Sequence, residues 1–128
     1  MIDWRPISRK EVCARVRQGE ARMSPAELRL WNAIRIEPEK WQQHPYGDQG
    51  KGFWAVGLIG RSVLWYNDIE NGFNRSQYTV YGTIDDYWCN PDELETTVQF
   101  LLSTLEKGAD LVHLGHTFVS PSRRSRTK

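Results

Sequence analysis

The chain has 128 residues, a length typical of one domain, because each half of a divided chain would be too small to bury its own core. Hydrophobic residues at 39% and aromatic residues at 12% exclude a disordered chain. The formal net charge of +1 is unevenly distributed: residues 62–96 hold seven acids against Arg75 alone, a net charge of −6. Such an acidic middle repels nucleic acid and attracts a basic partner, so no nucleic-acid partner is expected.

The sequence predicts a cytoplasmic protein without a membrane partner. No apolar run approaches the roughly 20 residues that a membrane-spanning helix needs, and the first residues lack the apolar segment of a signal peptide. Cys13 and Cys89 fall in different predicted elements, and a reducing compartment keeps both as thiols. We therefore expect neither a disulfide nor a metal or other cofactor.

Two capping boxes predict helices in the first part of the chain. Ser8 and Glu11 have the spacing at which each side chain accepts a hydrogen bond from the other residue's backbone N–H. This pattern predicts a helix over about 9–18, with Gly19 as its natural end. Ser24 and Glu27 repeat the pattern, with proline at the first helical position, and predict a helix near 25–35.

A β-hairpin is predicted in the middle of the chain. Residues 37–52 are rich in proline and glycine and read as a structured loop. The apolar run 53–59 is followed by a two-residue turn that begins with Gly60, and residues 62–66 return as the partner strand. After a polar loop over 67–76, the alternation of residues 77–84 predicts a third strand.

Leucines and valine at helical spacing predict a C-terminal amphipathic helix that begins at an Asn90 cap and ends at Gly108. The predicted fold class is α+β: N-terminal helices, a three- to four-stranded antiparallel meander, and the C-terminal helix packed on the sheet. A short edge strand is expected near 111–114. Residues 1–119 then form a single domain, and residues 120–128 a disordered basic tail.

Metal binding and catalysis are weakly indicated. The loop 67–74 resembles a calcium loop in composition, but its spacing places Ile69 where an oxygen ligand belongs and Tyr78 where a bidentate glutamate belongs. No Cys or carboxylate stands at a metal-ligand spacing beside the histidines, His44, His113 and His116. His113 and His116 could chelate a metal from a bend, but a solvated pair is the favoured interpretation. Paired acids at 68/70 and 85/86 leave an acid–base hydrolase as one alternative. No residue is predicted to be catalytic.

An interface rich in aromatic residues and acids is the leading hypothesis. Strand alternation is expected to turn some of the aromatics outward beside the carboxylates. The predicted partner-binding residues are Trp65, Tyr66, Asn67, Asp68, Glu70, Asn74, Asp85, Asp86, Tyr87 and Trp88. Core packing of these rings beneath an acidic rim is the competing interpretation. A further alternative is a small-ligand or carbohydrate module, in which the rings stack on sugars and the polar side chains bind hydroxyls.

The segment Trp65–Asn74, W-Y-N-D-I-E-N-G-F-N, is accompanied by residues 38–41, 52–56 and 87–90 in a pattern that resembles a group of small uncharacterised bacterial proteins. The likeness covers roughly residues 25–105 and implies no activity. In size and in its acidic, aromatic character the chain is also similar in style to immunity proteins that neutralise bacterial toxins. The resulting expectation is a non-enzymatic inhibitor that binds a basic toxin.

Overall fold

The computed structural model describes residues 4–108 of the chain. The elements, in chain order, are α1 (Arg9–Ala21), α2 (Pro25–Ile34), β1 (Arg35–Trp41), β2 (Phe53–Ile59), β3 (Ser62–Asn67), β4 (Gly72–Gln77) and α3 (Leu94–Lys107). The four strands form one antiparallel sheet in the order β1-β2-β3-β4. The predicted α+β class, with its meander and C-terminal helix on the sheet, is confirmed.

The sheet is buried on both faces. The helices cover one face, where Val12 of α1, Trp31 of α2 and Leu94 of α3 share a core with Leu64 of β3. The other face is covered by residues 78–93, which we call the covering segment. Together with alternate residues of the strands, this segment closes a second core around Trp65.

Both capping boxes are present as predicted, at Ser8 with Glu11 and at Ser24 with Glu27. The predicted end of α1 at Gly19 is wrong, because the helix continues to Ala21. Gly19 instead permits a close helix contact: a Cβ atom there would lie 2.7 Å from Leu94 Cβ. Its missing side chain thus serves packing between α1 and α3.

A strand in the region read as a loop is the first correction to the sheet. β1 occupies Arg35–Trp41 and follows α2 directly. Pro38 argued against a strand, but β1 lies at the edge of the sheet, where a missing N–H is tolerated, and its pairing with β2 is irregular between Arg35 and Glu39. The predicted hairpin of β2 and β3 is confirmed, and Gly60 in its turn has φ 56°.

The predicted third strand over 77–84 is wrong. β4 is Gly72–Gln77 and pairs with β3 along its whole length, from Asn67 opposite Gly72 to Ser62 opposite Gln77. The polar loop therefore shrinks to a tight turn, in which Asn71 takes φ 58°. Residues 78–84 belong to the covering segment.

The predicted end of α3 at Gly108 is confirmed, since this residue is the C-cap with φ 70°. The predicted start is wrong, because Glu93 rather than Asn90 is the N-cap and its side chain makes no capping bond. The edge strand expected near 111–114 and the basic tail lie outside the described residues.

Candidate functional site: an exposed turn beside a buried aromatic strand

The sequence predicted that Trp65 and its neighbours form a surface, and the structure places most of them in the interior. The buried members of the predicted site are Trp65, Tyr66, Asn67, Asp68, Asn74, Asp86, Tyr87 and Trp88. Only Glu70 and Asp85 are exposed. The expected exposure of the rings is therefore corrected: alternate side chains of β3 point to opposite faces of the sheet, but each face is covered.

Asn67 ties the covering segment to the end of β3. Its Nδ2 donates to Tyr87 Oη at 2.9 Å and to the Trp88 carbonyl at 3.0 Å. Its Oδ1 accepts from the backbone N–H groups of Ile69 and Glu70 at 3.0 and 3.1 Å. Because both ends of this buried amide are engaged within the chain, Asn67 shapes the turn between β3 and β4 and offers no group to a ligand.

Asp86 is likewise a structural carboxylate. Its Oδ1 accepts from the Gln77 backbone N–H at 2.8 Å, and its Oδ2 accepts from Trp88 Nε1 at 2.5 Å. The backbone carbonyl of Asp86 accepts from Ser76 Oγ, which itself accepts from Trp65 Nε1 at 2.9 Å. This buried chain of hydrogen bonds fixes the covering segment against β4.

Asn74 binds the segment that covers the outer edge of β4. It exchanges two bonds with the backbone of Asn90: Oδ1 accepts from its N–H at 3.0 Å, and Nδ2 donates to its carbonyl at 3.1 Å. The Phe73 N–H donates to the Asp92 carbonyl at 2.8 Å in the same region. The edge of the sheet is thus covered by the segment that leads into α3.

The aromatic rings on this face pack on one another. Tyr46 and Tyr87 stack with centroids 3.9 Å apart, and Phe53 lies 4.7 Å from Trp65. Burial raises the pKa of the Tyr87 hydroxyl, whereas the hydrogen bond from Asn67 lowers it. These contacts are those of a core, and no ring among them is free to stack on a ligand.

The exposed aromatic residue of this region lies in the covering segment instead. Val80 and Tyr81 are 64% and 62% exposed, and we call residues 78–84 the Val80–Tyr81 turn. The Tyr81 ring rests against Trp41 with centroids 4.8 Å apart, and its hydroxyl donates to Glu39 Oε2. This bond raises the pKa of the Tyr81 hydroxyl.

Backbone hydrogen bonds fix the Val80–Tyr81 turn to the end of β1. The Gln42 N–H donates to the Gly82 carbonyl at 2.8 Å, and the Ile84 N–H donates to the Gln42 carbonyl at 2.8 Å. Within the turn, the Thr83 N–H donates to the Val80 carbonyl at 3.1 Å. Gly82 has φ 96°, a conformation that favours glycine. The exposed apolar side chains therefore project from a rigid frame.

Carboxylates flank the Val80–Tyr81 turn. Glu39 is half-buried and accepts from both Tyr81 and Trp41 Nε1, the latter at 2.8 Å. Asp85 is exposed and accepts from Thr79 Oγ1 at 2.8 Å. Residues 78–85 contain no Lys, Arg or His. The turn thus combines exposed apolar area with negative charge. The sequence predicted this combination for the surface around Trp65.

A polar cleft of about 260 Å³ lies in the connection between β1 and β2. Its lining residues are Gln42, Gln43, His44, Gly47, Asp48, Lys51 and Gly52. His44 Nδ1 lies 2.7 Å from Asp48 Oδ2, and both side chains are largely exposed. The lining contains no Phe, Trp or Tyr side chain, so the cleft differs from the pocket lined by Trp and Tyr rings that is expected of a carbohydrate module.

Among residues 4–108 there is no group of three or more His, Cys, Asp or Glu side chains placed to hold a metal ion. Within the same range, no helix is long and apolar enough to cross a membrane. In comparisons with known proteins, no family model, no curated protein and no solved structure matches the chain.

Proposed function

We propose that the protein is a non-enzymatic binding module, of the immunity type, that inhibits a basic toxin in the cytoplasm by binding it through the Val80–Tyr81 turn. The observation that supports this proposal is the pairing of two apolar side chains, each more than 60% exposed, with the flanking carboxylates of Glu39 and Asp85. The surface is acidic and aromatic, as in the hypothesis drawn from the sequence, but its residues are largely different.

The shape of the turn favours protein binding. Aromatic side chains contribute much of the binding energy at interfaces, particularly when they need not be ordered on binding. Tyr81 is held between Trp41 and Glu39, so little conformational entropy is lost when a partner covers its outer face. Val80 extends the apolar area beside it.

The charge of the turn favours a basic partner. Glu39 and Asp85 contribute negative charge where residues 78–85 contain no base, and Glu70 adds a further exposed acid elsewhere in the acidic middle of the chain. Complementary charge accelerates encounter and disfavours partners of the wrong sign. A basic surface, such as that of a nuclease toxin, fits this requirement.

The alternatives from the sequence have less support. A carbohydrate module needs exposed rings, whereas Trp65, Tyr87 and Trp88 are buried. A hydrolase needs an accessible pair of carboxyl groups, whereas Asp86 is engaged by Gln77 and Trp88. The resemblance to small uncharacterised bacterial proteins stays a prediction.

The test is a binding titration against the product of the neighbouring gene, because an immunity protein is typically encoded beside its toxin. The Tyr81→Ala/Asp85→Lys double variant is expected to raise the dissociation constant, measured by calorimetry, at least tenfold. Glu106→Lys on α3 makes the same charge reversal at an exposed site outside the turn and should leave the affinity within about twofold.

Two outcomes contradict the proposal: the neighbouring product does not bind the wild-type chain, or the double variant binds it as tightly as the wild type does. A charge reversal at Asp68 is unsuitable for this test. Asp68 is only 8% exposed and accepts a hydrogen bond from the Ile7 backbone, so lysine there would disturb folding rather than report on an interface.

A further inference from the structure

The segment Trp4–Ile7, which we call the arm, lies in a groove at one end of the sheet. On one side it contacts Gly50, where a Cβ atom would meet Trp4 Cη2 at 3.2 Å and Pro6 Cγ at 3.6 Å. On the other side, Trp4 Nε1 donates to the backbone carbonyl of Asp68 at 3.2 Å. The groove is thus bounded by the β1–β2 connection and the β3–β4 turn.

Two side chains of the groove bind the main chain of the arm. The Ile7 N–H donates to Asp68 Oδ2 at 2.8 Å, and the Ile7 carbonyl accepts from Trp54 Nε1 at 2.9 Å. Both backbone groups of one residue are therefore held by side chains rather than by a neighbouring strand. This is the chemistry by which a protein captures an extended peptide from another molecule.

The floor and one wall of the groove are held by contacts that do not involve the arm. Lys40 Nζ donates to the carbonyls of Gly50 and Gly52 at 2.8 and 3.2 Å and lies 5.1 Å from the centre of a Trp54 ring. Lys40 and Trp54 are also paired across β1 and β2. These contacts fix the floor and one wall of the groove without a contribution from the arm.

The hydrogen bonds that cap the start of α1 do not involve the arm. The capping box of Ser8 and Glu11 satisfies the first N–H groups of α1 with residues outside the arm. Trp4 is 38% exposed, and the ion pair of Arg5 with Glu11 is exposed as well and contributes little. Release of the arm therefore leaves the capping hydrogen bonds of α1 in place and removes the contact of Ile7 with the core.

We propose that this groove is a peptide-binding site and that the arm is its resident internal ligand. Its occupant in trans is an extended segment of a partner protein with the chemistry of the arm: an aromatic residue, any residue, proline, then an aliphatic residue. The site is separate from the Val80–Tyr81 turn. Lys40 and Trp54 alternate with Trp41 and Phe53 along their strands, so the groove and the turn lie on opposite faces of the sheet.

The test uses the full chain with a weakened arm, Trp4→Ala/Pro6→Gly/Ile7→Gly, and a fluorescent capped peptide with the sequence of residues 4–8. We expect saturable binding, followed by anisotropy, that is at least tenfold tighter than binding to the wild type, whose arm competes for the groove. Adding Trp54→Phe removes one donor of the clamp and should weaken binding about fivefold to tenfold. Adding Tyr81→Ala, on the other face, should change nothing.

The proposal is overturned if the folded arm variant does not bind the peptide, or if Trp54→Phe leaves the affinity unchanged. If the triple variant does not fold, as judged by circular dichroism, Trp4→Ala/Pro6→Gly retains the core contact of Ile7 and is held to the same two criteria. The peptide replaces the toxin in this experiment. Its failure therefore leaves the role proposed for the Val80–Tyr81 turn unaffected, and failure of that role leaves the groove unaffected.

Discussion

Two aromatic stretches of this chain occupy opposite environments. Trp65 and Tyr66 of β3 are buried, one on each face of the sheet, whereas Val80 and Tyr81 of the covering segment are largely exposed. Both stretches combine tyrosine with neighbouring acids. The difference lies in what covers them, because β3 is central and has a layer on each side, while the turn belongs to one of those layers.

Residue type alone therefore does not identify an interface in this chain. In β3 the run Val63–Tyr66 is apolar without interruption, the pattern of a strand buried on both faces. In the turn, Tyr81 rests on Trp41 with one side only and keeps its other side in solvent. A tyrosine therefore stabilises the core in one stretch, at Tyr66, and is available to a partner in the other, at Tyr81.

The largest expected effect is the difference in stability between truncating the buried ring of Trp65 and truncating the exposed ring of Tyr81. Trp65→Ala should lower the free energy of unfolding by about 3–5 kcal/mol, because a fully buried indole is replaced by a cavity. Tyr81→Ala should change it by no more than about 1 kcal/mol. Urea unfolding of both variants measures the difference. Equal losses of unfolding free energy in the two variants would show that the two rings contribute alike to the core.

The next effect concerns the polar end of β3. Asn67→Ala should cost about 2–3 kcal/mol, because it leaves buried partners such as the Tyr87 hydroxyl and the Trp88 carbonyl without their donor. Asn32→Ala, at an exposed position of α2, is the matched control and should cost less than about 0.5 kcal/mol. Similar values for the two variants in urea unfolding would remove Asn67 from the core network.

A smaller effect separates two buried tyrosines. Tyr87→Phe should cost about 1 kcal/mol, since the Tyr87 hydroxyl accepts from Asn67. Tyr66→Phe should be neutral or stabilise the protein by up to about 1 kcal/mol, because the buried Tyr66 hydroxyl has no hydrogen-bond partner within residues 4–108. Thermal unfolding ranks the pair, and a destabilised Tyr66→Phe variant would show that this hydroxyl has a role.

The smallest effect is a pH dependence at Asp68. Burial raises the pKa of the Asp68 carboxyl, although the Ile7 N–H and Lys40 lower it. A raised folded pKa means that the folded state binds more protons than the unfolded state, so this group's contribution to stability falls as pH rises from about 3.9 through the raised value. The stability of Asp68→Asn relative to wild type should therefore increase from pH 3 to pH 7. A decrease in unfolding titrations would show that the partners outweigh burial.

Local signals predicted the elements that depend on local chemistry. Both capping boxes, the β2–β3 hairpin with its Gly60 turn and the end of α3 at Gly108 each follow from residues close in sequence. β4 was predictable in a similar way, because Asn-Gly is a strong turn signal: Asn71 ends the short turn after β3, and Gly72 begins β4. The predicted polar loop over 67–76 instead places the third strand too late in the sequence.

The site was not predictable because exposure is a tertiary property. Residues 78–84 of the covering segment alternate as a strand does, so nothing local indicates that the segment instead packs on β3 through Asn67 and on β4 through Asp86. The β propensity of Val80 and Tyr81 predicts a strand, but this propensity depends strongly on context. One sequence pattern did indicate the buried environment of β3: the uninterrupted apolar run Val63–Tyr66 favours burial on both faces.

In the proposed complex the exposed turn, and not the aromatic strand, contacts the partner. Hydrogen exchange of the wild-type chain, alone and with the product of the neighbouring gene, tests it most directly. We expect exchange to slow at residues 79–85 on binding, while the amides of residues 63–67, already protected by the sheet, do not change. A complex that leaves exchange at residues 79–85 unaltered would contradict the account.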